Sequence, residues 1–161
     1  MYVLIPLLPL AAFLVLGLAG NRIKERAHLV AVPAVVLSWL LSVFAFFDVA
    51  QGAPISQPLY TWLTSGHLDI HIGLYLDRLT VVMLLLVTTV SSLVHIYTIG
   101  YMHGEAGYAR FFSYIALFTF SMLMLVLASS LLGLFIGWEG VGLCSYLLIG
   151  FWYEKGWPAE A

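Results

Sequence analysis

The sequence of 161 residues carries very little charge. Only 9% of its residues are charged and 63% are hydrophobic, whereas ordinary soluble domains have about 25% and about 45–50% of these classes. Several stretches of about 20 residues contain no charged side chain, and this is the length that crosses a bilayer. The composition therefore excludes a soluble monomer and indicates an integral membrane protein in contact with lipid.

Cysteine and basic charge are also scarce, and each shortage excludes a class of site. The single cysteine, Cys144, has no partner for an internal disulfide or a cysteine metal site. The formal net charge of −2 gives no basic field for nucleic acid. His67 and His71 lie on one face of a strand-like segment, but two ligands do not make a zinc site. We expect no metal ion and no nucleic-acid partner.

Apolar runs separated by polar clusters predict five transmembrane helices. Each run has about the length that the hydrocarbon core requires. The first run is not expected to be a signal peptide, because its positive charges follow the apolar residues instead of preceding them. The predicted spans are residues 1–20, 28–49, 79–101, 111–128 and 131–152.

The segment between the second and third spans has a different period. In residues 67–76 the aliphatic side chains fall on every second position, which is typical of a strand. Residues 60–63 precede it, and Thr64, Ser65 and Gly66 are suited to a turn. We therefore predict an all-α membrane protein with a short β-hairpin in the external loop, where Asp77 and Arg78 form a surface ion pair at the start of the third span.

The basic residues predict the orientation in the membrane. With five spans, five of the six lysine and arginine residues fall on one side of the membrane: Arg22, Lys24, Arg26, Arg110 and Lys155. Arg78 falls on the opposite side. By the positive-inside rule, the side with five basic residues is cytoplasmic. We therefore expect the N-terminus and the hairpin outside and the C-terminal end in the cytoplasm.

One acidic residue lies deep within a predicted span. Glu139 is eight residues into the fifth span, which places it roughly 12 Å inside a hydrocarbon core about 30 Å thick. A carboxylate there costs about 2.5–3.5 kcal/mol on insertion scales and usually faces a protein interior or a water-filled cavity. Because the low dielectric disfavours its charged form, Glu139 is a candidate for binding and releasing protons.

Helical spacing predicts two different faces for the fifth span. The side chains that share a face with Glu139 include Phe135 and Tyr146, and the Tyr146 hydroxyl is a possible hydrogen-bond partner. Small residues lie on another face and predict close approach of a neighbouring helix: Gly133, Gly137, Gly140 and Cys144. A structural alternative is that Glu139 stays protonated and only holds helices together.

His95 is the second candidate for proton transfer. It lies in the third span with Ser91 and Ser92 one turn before it and Thr98 three residues after it. Histidine titrates near neutral pH and can relay protons. The alternative is an imidazole that simply hydrogen-bonds a neighbouring helix. No lysine or arginine lies within any span, so we expect the partner of Glu139 to come from elsewhere.

Three segments together resemble a known family. Residues 137–151 read GWEGVGLCSYLLIGF, residues 100–112 read GYMHGEAGYARFF, and residues 75–80 read YLDRLT. The first is similar to the fifth transmembrane helix of the subunit L family of NADH-quinone oxidoreductase, respiratory complex I. The second resembles the loop between helices three and four of that family, and the third resembles the entry to helix three.

The resemblance implies more than the residues alone. Family members are several times longer, contain two inverted repeats and move protons, so we expect this chain to be an N-terminal fragment. Glu139 matches the family glutamate, which pairs with a lysine on helix seven, beyond Ala161. The resemblance also implies the bacterial inner membrane, other complex I membrane subunits as partners, and no cofactor in this chain, with NADH, FMN, iron–sulfur clusters and quinone in partner subunits.

Two alternatives remain open. Subunits of cation/proton antiporters share this helix and its glutamate, although the GVGLCSY continuation favours complex I. The second alternative is a membrane scaffold that moves no ion.

Overall fold

A computed structural model describes residues 1–65 and 68–155, and within them five helices and a two-stranded hairpin. Helices α1 and α2 cover Leu4–Ile23 and His28–Gln51, and a short 3-10 turn joins them. The hairpin strands are β1, Ile55–Ser65, and β2, Leu68–Leu76. Helices α3, α4 and α5 then cover Arg78–Tyr101, Tyr108–Leu127 and Leu131–Ile149, and a 3-10 segment follows, Gly150–Lys155.

The predicted fold class is confirmed. Four helices are long and apolar enough to cross a membrane, among them α5 extended to Trp152. In α1 the apolar section is shorter, Leu4–Gly20, which at 1.5 Å per residue still spans about 25 Å. The chain is therefore an integral membrane protein whose only described strands form the predicted hairpin between α2 and α3.

Helix α4 is the centre of the bundle. It packs against α1, α3 and α5, while α2 packs against α1 and α3. One hydrophobic cluster lies near the hairpin and includes Ile5, Leu84 and Leu127. A second cluster lies towards the other end of the helices and includes Leu16 and Phe112. Helices α3 and α5 thus both pack on α4 and make little contact with each other.

The hairpin is fastened to the bundle through β2. The predicted alternation holds at the end of the strand, where Leu74 and Leu76 are fully buried and Tyr75 is exposed. The backbone N–H of Ser129, in the short connection between α4 and α5, donates to the Gly73 carbonyl at 3.1 Å. Its neighbour Ala128 forms an isolated bridge with Leu74. The predicted turn residue Gly66 and the candidate ligand His67 lie outside the described residues.

Asp77 has a different role from the predicted ion pair. Its carboxylate accepts a hydrogen bond from the Thr80 backbone N–H at 2.7 Å and so caps the N-terminus of α3. No ion pair between Asp77 and Arg78 is present among the residues that the structure describes. The cap is favoured because it satisfies one of the backbone donors that the first helical turn leaves without a partner.

We expect Asp77→Ala to destabilise the full-length protein by about 1 kcal/mol, the usual cost of a lost cap. The bond from the Thr80 backbone N–H holds the pKa of Asp77 below its ordinary value. Stability from the cap is therefore present above pH about 4 and is lost as the pH falls through the lowered pKa. Thermal unfolding at several pH values tests this, with Asp77→Asn as the control that keeps the cap and loses the pH dependence.

Candidate functional site

Glu139 lies near the middle of α5. It is the ninth residue of the 19-residue helix, so about 12 Å of helix precedes it and about 15 Å follows it. Ser130 fixes the start of the helix, because its side chain accepts a hydrogen bond from the Gly133 N–H at 3.2 Å. The carboxyl is therefore far from both ends of the span, as the sequence predicts.

The opposite face of α5 packs closely on α4. Gly133, Gly137 and Cys144 are buried there, and a Cβ atom on Gly137 would lie only 2.7 Å from the backbone nitrogen of Leu125. A Cβ atom on Gly140 would lie 2.7 Å from the Ser121 hydroxyl. The predicted small-residue face is thus confirmed, and it turns the Glu139 face away from α4.

The Glu139 face is open along its length. Glu139 is exposed, as are Phe135 and Tyr146, which is 75% exposed. Within the described ranges, 1–65 and 68–155, no hydrogen bond or ion pair reaches the Glu139 carboxyl, and none joins it to the Tyr146 hydroxyl. The role of Tyr146 stays a prediction. A carboxyl at mid-helix with no partner here is a group that needs a cation or water from outside these residues.

His95 is buried between α3 and α4 and is only 1% exposed. Its Nδ1 lies 2.8 Å from the Ser91 carbonyl oxygen and 3.3 Å from the Ser91 hydroxyl. Because a carbonyl can only accept, the neutral ring carries its proton on Nδ1 and leaves Nε2 as an acceptor. Nε2 is buried without a hydrogen-bond partner in the described part of the chain.

A hydroxyl on α4 extends this arrangement. The Ser91 and Thr119 hydroxyl oxygens lie 2.6 Å apart, which links α3 to α4. Thr119 was not among the predicted site residues, because its only signal in the sequence is a polar residue inside the fourth span. Of the neighbours of His95 that were named from the sequence, Ser92 and Thr98 bond only within α3, where they donate to the Thr88 and Val94 carbonyls.

An almost apolar cavity of about 320 Å³ adjoins this polar link. Ser91, His95 and Thr119 are among its lining residues but present only apolar atoms to it, and the rest of the lining comes mainly from aliphatic side chains of α3 and α4. The structure does not bring His95 and Glu139 together, because α3 and α5 each pack on α4 and make little contact with each other. The two predicted proton-transfer candidates therefore belong to separate parts of the bundle.

Two further pairs of polar side chains lie outside the surroundings of Glu139 and His95. The Tyr2 hydroxyl donates to the Asp48 carboxylate at 3.0 Å and ties the start of α1 to the end of α2, a contact that the sequence analysis did not predict. His71 lies 3.1 Å from the Thr61 hydroxyl across the hairpin. Among the described residues, no group of three or more His, Cys, Asp or Glu could hold a metal ion.

Comparison with known proteins gives two matching family models. Residues 62–112 match the model described as NADH-ubiquinone oxidoreductase (complex I), chain 5 N-terminus. Residues 128–161, which include Glu139, match the model described as NADH:quinone oxidoreductase/Mrp antiporter, TM.

Curated relatives are similar over nearly the whole chain. NADH-quinone oxidoreductase subunit L of Neisseria meningitidis serogroup A is 50% identical over 96% of this chain and 24% of its own length. NADH-ubiquinone oxidoreductase chain 5 of Podospora anserina is 44% identical over 96% of this chain and 24% of its own length. The chain thus spans about a quarter of the length of these relatives, which are named as subunits of an oxidoreductase.

A solved structure has the same fold. It is the membrane-bound sulfane sulfur reductase, an archaeal respiratory membrane complex. One of its chains superposes with a TM-score of 0.80 over 99% of this chain and 32% of that chain, at 18% sequence identity. At this identity the likeness concerns the fold alone.

Proposed function

Because this chain is homologous to the subunit L and chain 5 proteins of complex I over 96% of its length, we propose that it is part of a proton-translocating, antiporter-like membrane subunit. In this proposal the full-length protein couples electron transfer from NADH to quinone to proton pumping. The chain itself carries out no redox chemistry. NADH, FMN, iron–sulfur clusters and quinone belong to partner subunits, and other membrane subunits of the complex are its neighbours.

The position of Glu139 supports this proposal more than any other observation. Its carboxyl lies at the middle of a membrane helix and on the face that α4 leaves open. An acidic group inside a membrane is costly, which favours a functional role over a structural one. In the proposed mechanism Glu139 takes up a proton, and a cation brought near it from another part of the full-length protein promotes release of that proton.

His95 is proposed as a second relay group on a separate route. Its ring is fixed by the Ser91 carbonyl, so Nε2 is the nitrogen that can accept a proton from a water molecule. When a proton arrives at Nε2, the Nδ1 proton can pass to the Ser91 hydroxyl oxygen, 3.3 Å away. The Ser91 hydroxyl then gives its own proton to the Thr119 hydroxyl, 2.6 Å away on α4, and Thr119 releases its proton to a water molecule. Tyr146 is proposed to bind water on the Glu139 face, where its hydroxyl is accessible.

We further propose the bacterial inner membrane as the location of the protein. The basic residues of the α1–α2 and α3–α4 connections support a cytoplasmic position for that end, with the N-terminus and the hairpin outside.

Replacing Glu139 by glutamine in the full-length protein tests the proposed function. The two side chains have the same shape, so we expect normal assembly together with a several-fold loss of pumped protons per electron transferred. Proton uptake by inverted membrane vesicles, measured beside NADH oxidation, gives this ratio. The matched control is Asp48→Asn, the same acid-to-amide change at a helix end, which should leave the ratio unchanged. Normal pumping by Glu139→Gln would contradict the proposal and favour the alternative of a membrane scaffold that moves no ion.

A cation/proton antiporter subunit is the second candidate. The observation that favours it is the match of residues 128–161 to a model that includes the Mrp antiporters. Proton movement that depends on an added sodium or potassium gradient and needs no NADH would support this candidate over the first.

A further inference from the structure

An open groove of about 850 Å³ runs between α1 and α4 at the basic end of the bundle. Neither Glu139 nor His95 lines it. Residues of α1, its C-terminal end and the start of α4 line it, among them Phe13, Gly17, Gly20, Lys24, Arg110 and Ser113.

Small residues form the wall between the two helices. A Cβ atom on Gly20 would contact the Cβ atom of Ala109 at 3.4 Å. At Gly17 the nearest contact would be the Ser113 hydroxyl at 3.8 Å, so a side chain there has room. The absence of side chains at Gly17 and Gly20 keeps this groove open along the two helices.

The groove is polar at one end and apolar at the other. Lys24 lies 11 residues after Phe13, which corresponds to about 16 Å along the helix. Lys24 and Arg110 lie at the end that reaches the membrane boundary, whereas Phe13 lies well inside the apolar section of α1. This polarity matches an amphiphile better than a free anion.

The two cations at the boundary are available for a ligand. Both are exposed, and within the part of the chain that the structure describes neither forms an ion pair. Arg110 lies 4.9 Å above the Phe151 ring and donates weakly to the Phe151 carbonyl at 3.4 Å, which orients its guanidinium. Glu105 also lines the groove and takes part in an interaction of its own.

We propose that this groove binds an anionic phospholipid. Its phosphate lies between Lys24 and Arg110, and one acyl chain lies along Gly17 and Gly20. Basic pockets between membrane helices at the positively charged side are suited to anionic lipid headgroups. The apolar floor of the groove selects a lipid over a soluble phosphate, because only a lipid fills both ends.

Photo-crosslinking in the assembled complex tests this proposal. The complex that contains the full-length protein is reconstituted in phosphatidylcholine vesicles with phosphatidylglycerol that carries a diazirine on its acyl chain. We expect crosslinks on residues 13–24 and 108–114. Lys24→Gln together with Arg110→Gln should reduce them by about fivefold for each cation removed. Arg78→Gln, a change of the same kind at the other end of the bundle, should not reduce them.

Competitors and a second variant distinguish the possible occupants. Excess unlabelled phosphatidylglycerol should suppress the crosslinks, and inorganic phosphate should not. Gly17→Leu should reduce the crosslinks several-fold by filling the acyl half while both cations remain. The proposal is overturned by equal labelling with photoactivatable phosphatidylcholine, by no labelling because a protein segment covers the groove, or by unchanged labelling in either variant.

Discussion

Gly137→Ala is expected to weaken the packing of α5 on α4 and to lower the yield of assembled protein. The new Cβ atom would lie 2.7 Å from the Leu125 backbone nitrogen and 2.8 Å from its Cα. Backbone atoms cannot rotate away, so the helices must separate along the small-residue face. Overpacking of this kind costs about 1–3 kcal/mol, a large part of a total stability of about 5–15 kcal/mol.

Gly142 on the same helix provides the matched control for this prediction. No atom lies within 4 Å of a Cβ atom built there, and alanine is the better helix former by about 1 kcal/mol in soluble hosts. Gly142→Ala should therefore be neutral or stabilising. The thermal denaturation temperature of the detergent-solubilised complex compares the two. Equal temperatures for both variants would mean that α4 and α5 do not pack as described.

Gly73→Ala is expected to release the hairpin from the bundle. A Cβ atom there would lie 2.8 Å from the Gln57 carbonyl oxygen of β1 and 2.9 Å from the Ser129 hydroxyl. The Gly73 carbonyl also accepts the hydrogen bond from the Ser129 N–H that fastens the hairpin to the α4–α5 connection. The side chain therefore opposes both the strand pairing and the attachment of the hairpin.

Limited proteolysis of the full-length protein in vesicles measures this release. We expect cleavage between residues 55 and 76 to be much faster in Gly73→Ala than in the parent protein. The double variant Gly73→Ala with Ser129→Ala removes one of the two close contacts and should recover part of the protection. Gly100→Ala, where a Cβ atom meets nothing within 4 Å, is the control. Unchanged cleavage in Gly73→Ala would contradict the docking.

The elements of this fold follow from local patterns in the sequence. Apolar runs of membrane length predict the helices, and the two-residue alternation at Leu74 and Leu76 predicts the hairpin. The spacing of Gly133, Gly137 and Cys144 even predicts which face of α5 is packed. These features depend only on residues close together in the chain, so the period of the element is enough to find them.

Contacts between distant residues required the structure. The Ser91–Thr119 link depends on how α3 and α4 are aligned along their lengths, and the Tyr2–Asp48 bond depends on where α1 begins against the end of α2. Asp77 shows a different limit, because a carboxylate before a helix can pair with the next arginine or cap the helix. In the structure Asp77 caps the helix, because the Thr80 N–H lies 2.7 Å from its carboxylate. The charges in the sequence do not reveal this geometry.

The central claim is that Glu139 binds and releases a proton inside the membrane. Infrared difference spectra of the active complex in lipid, recorded between resting and turnover states, report protonated carboxyl groups directly. We predict a carboxyl C=O band that changes during turnover and that is absent when Glu139 is replaced by glutamine. A Glu139 band that does not change during turnover, or a spectrum that is the same in the parent protein and in Glu139→Gln, would contradict the claim.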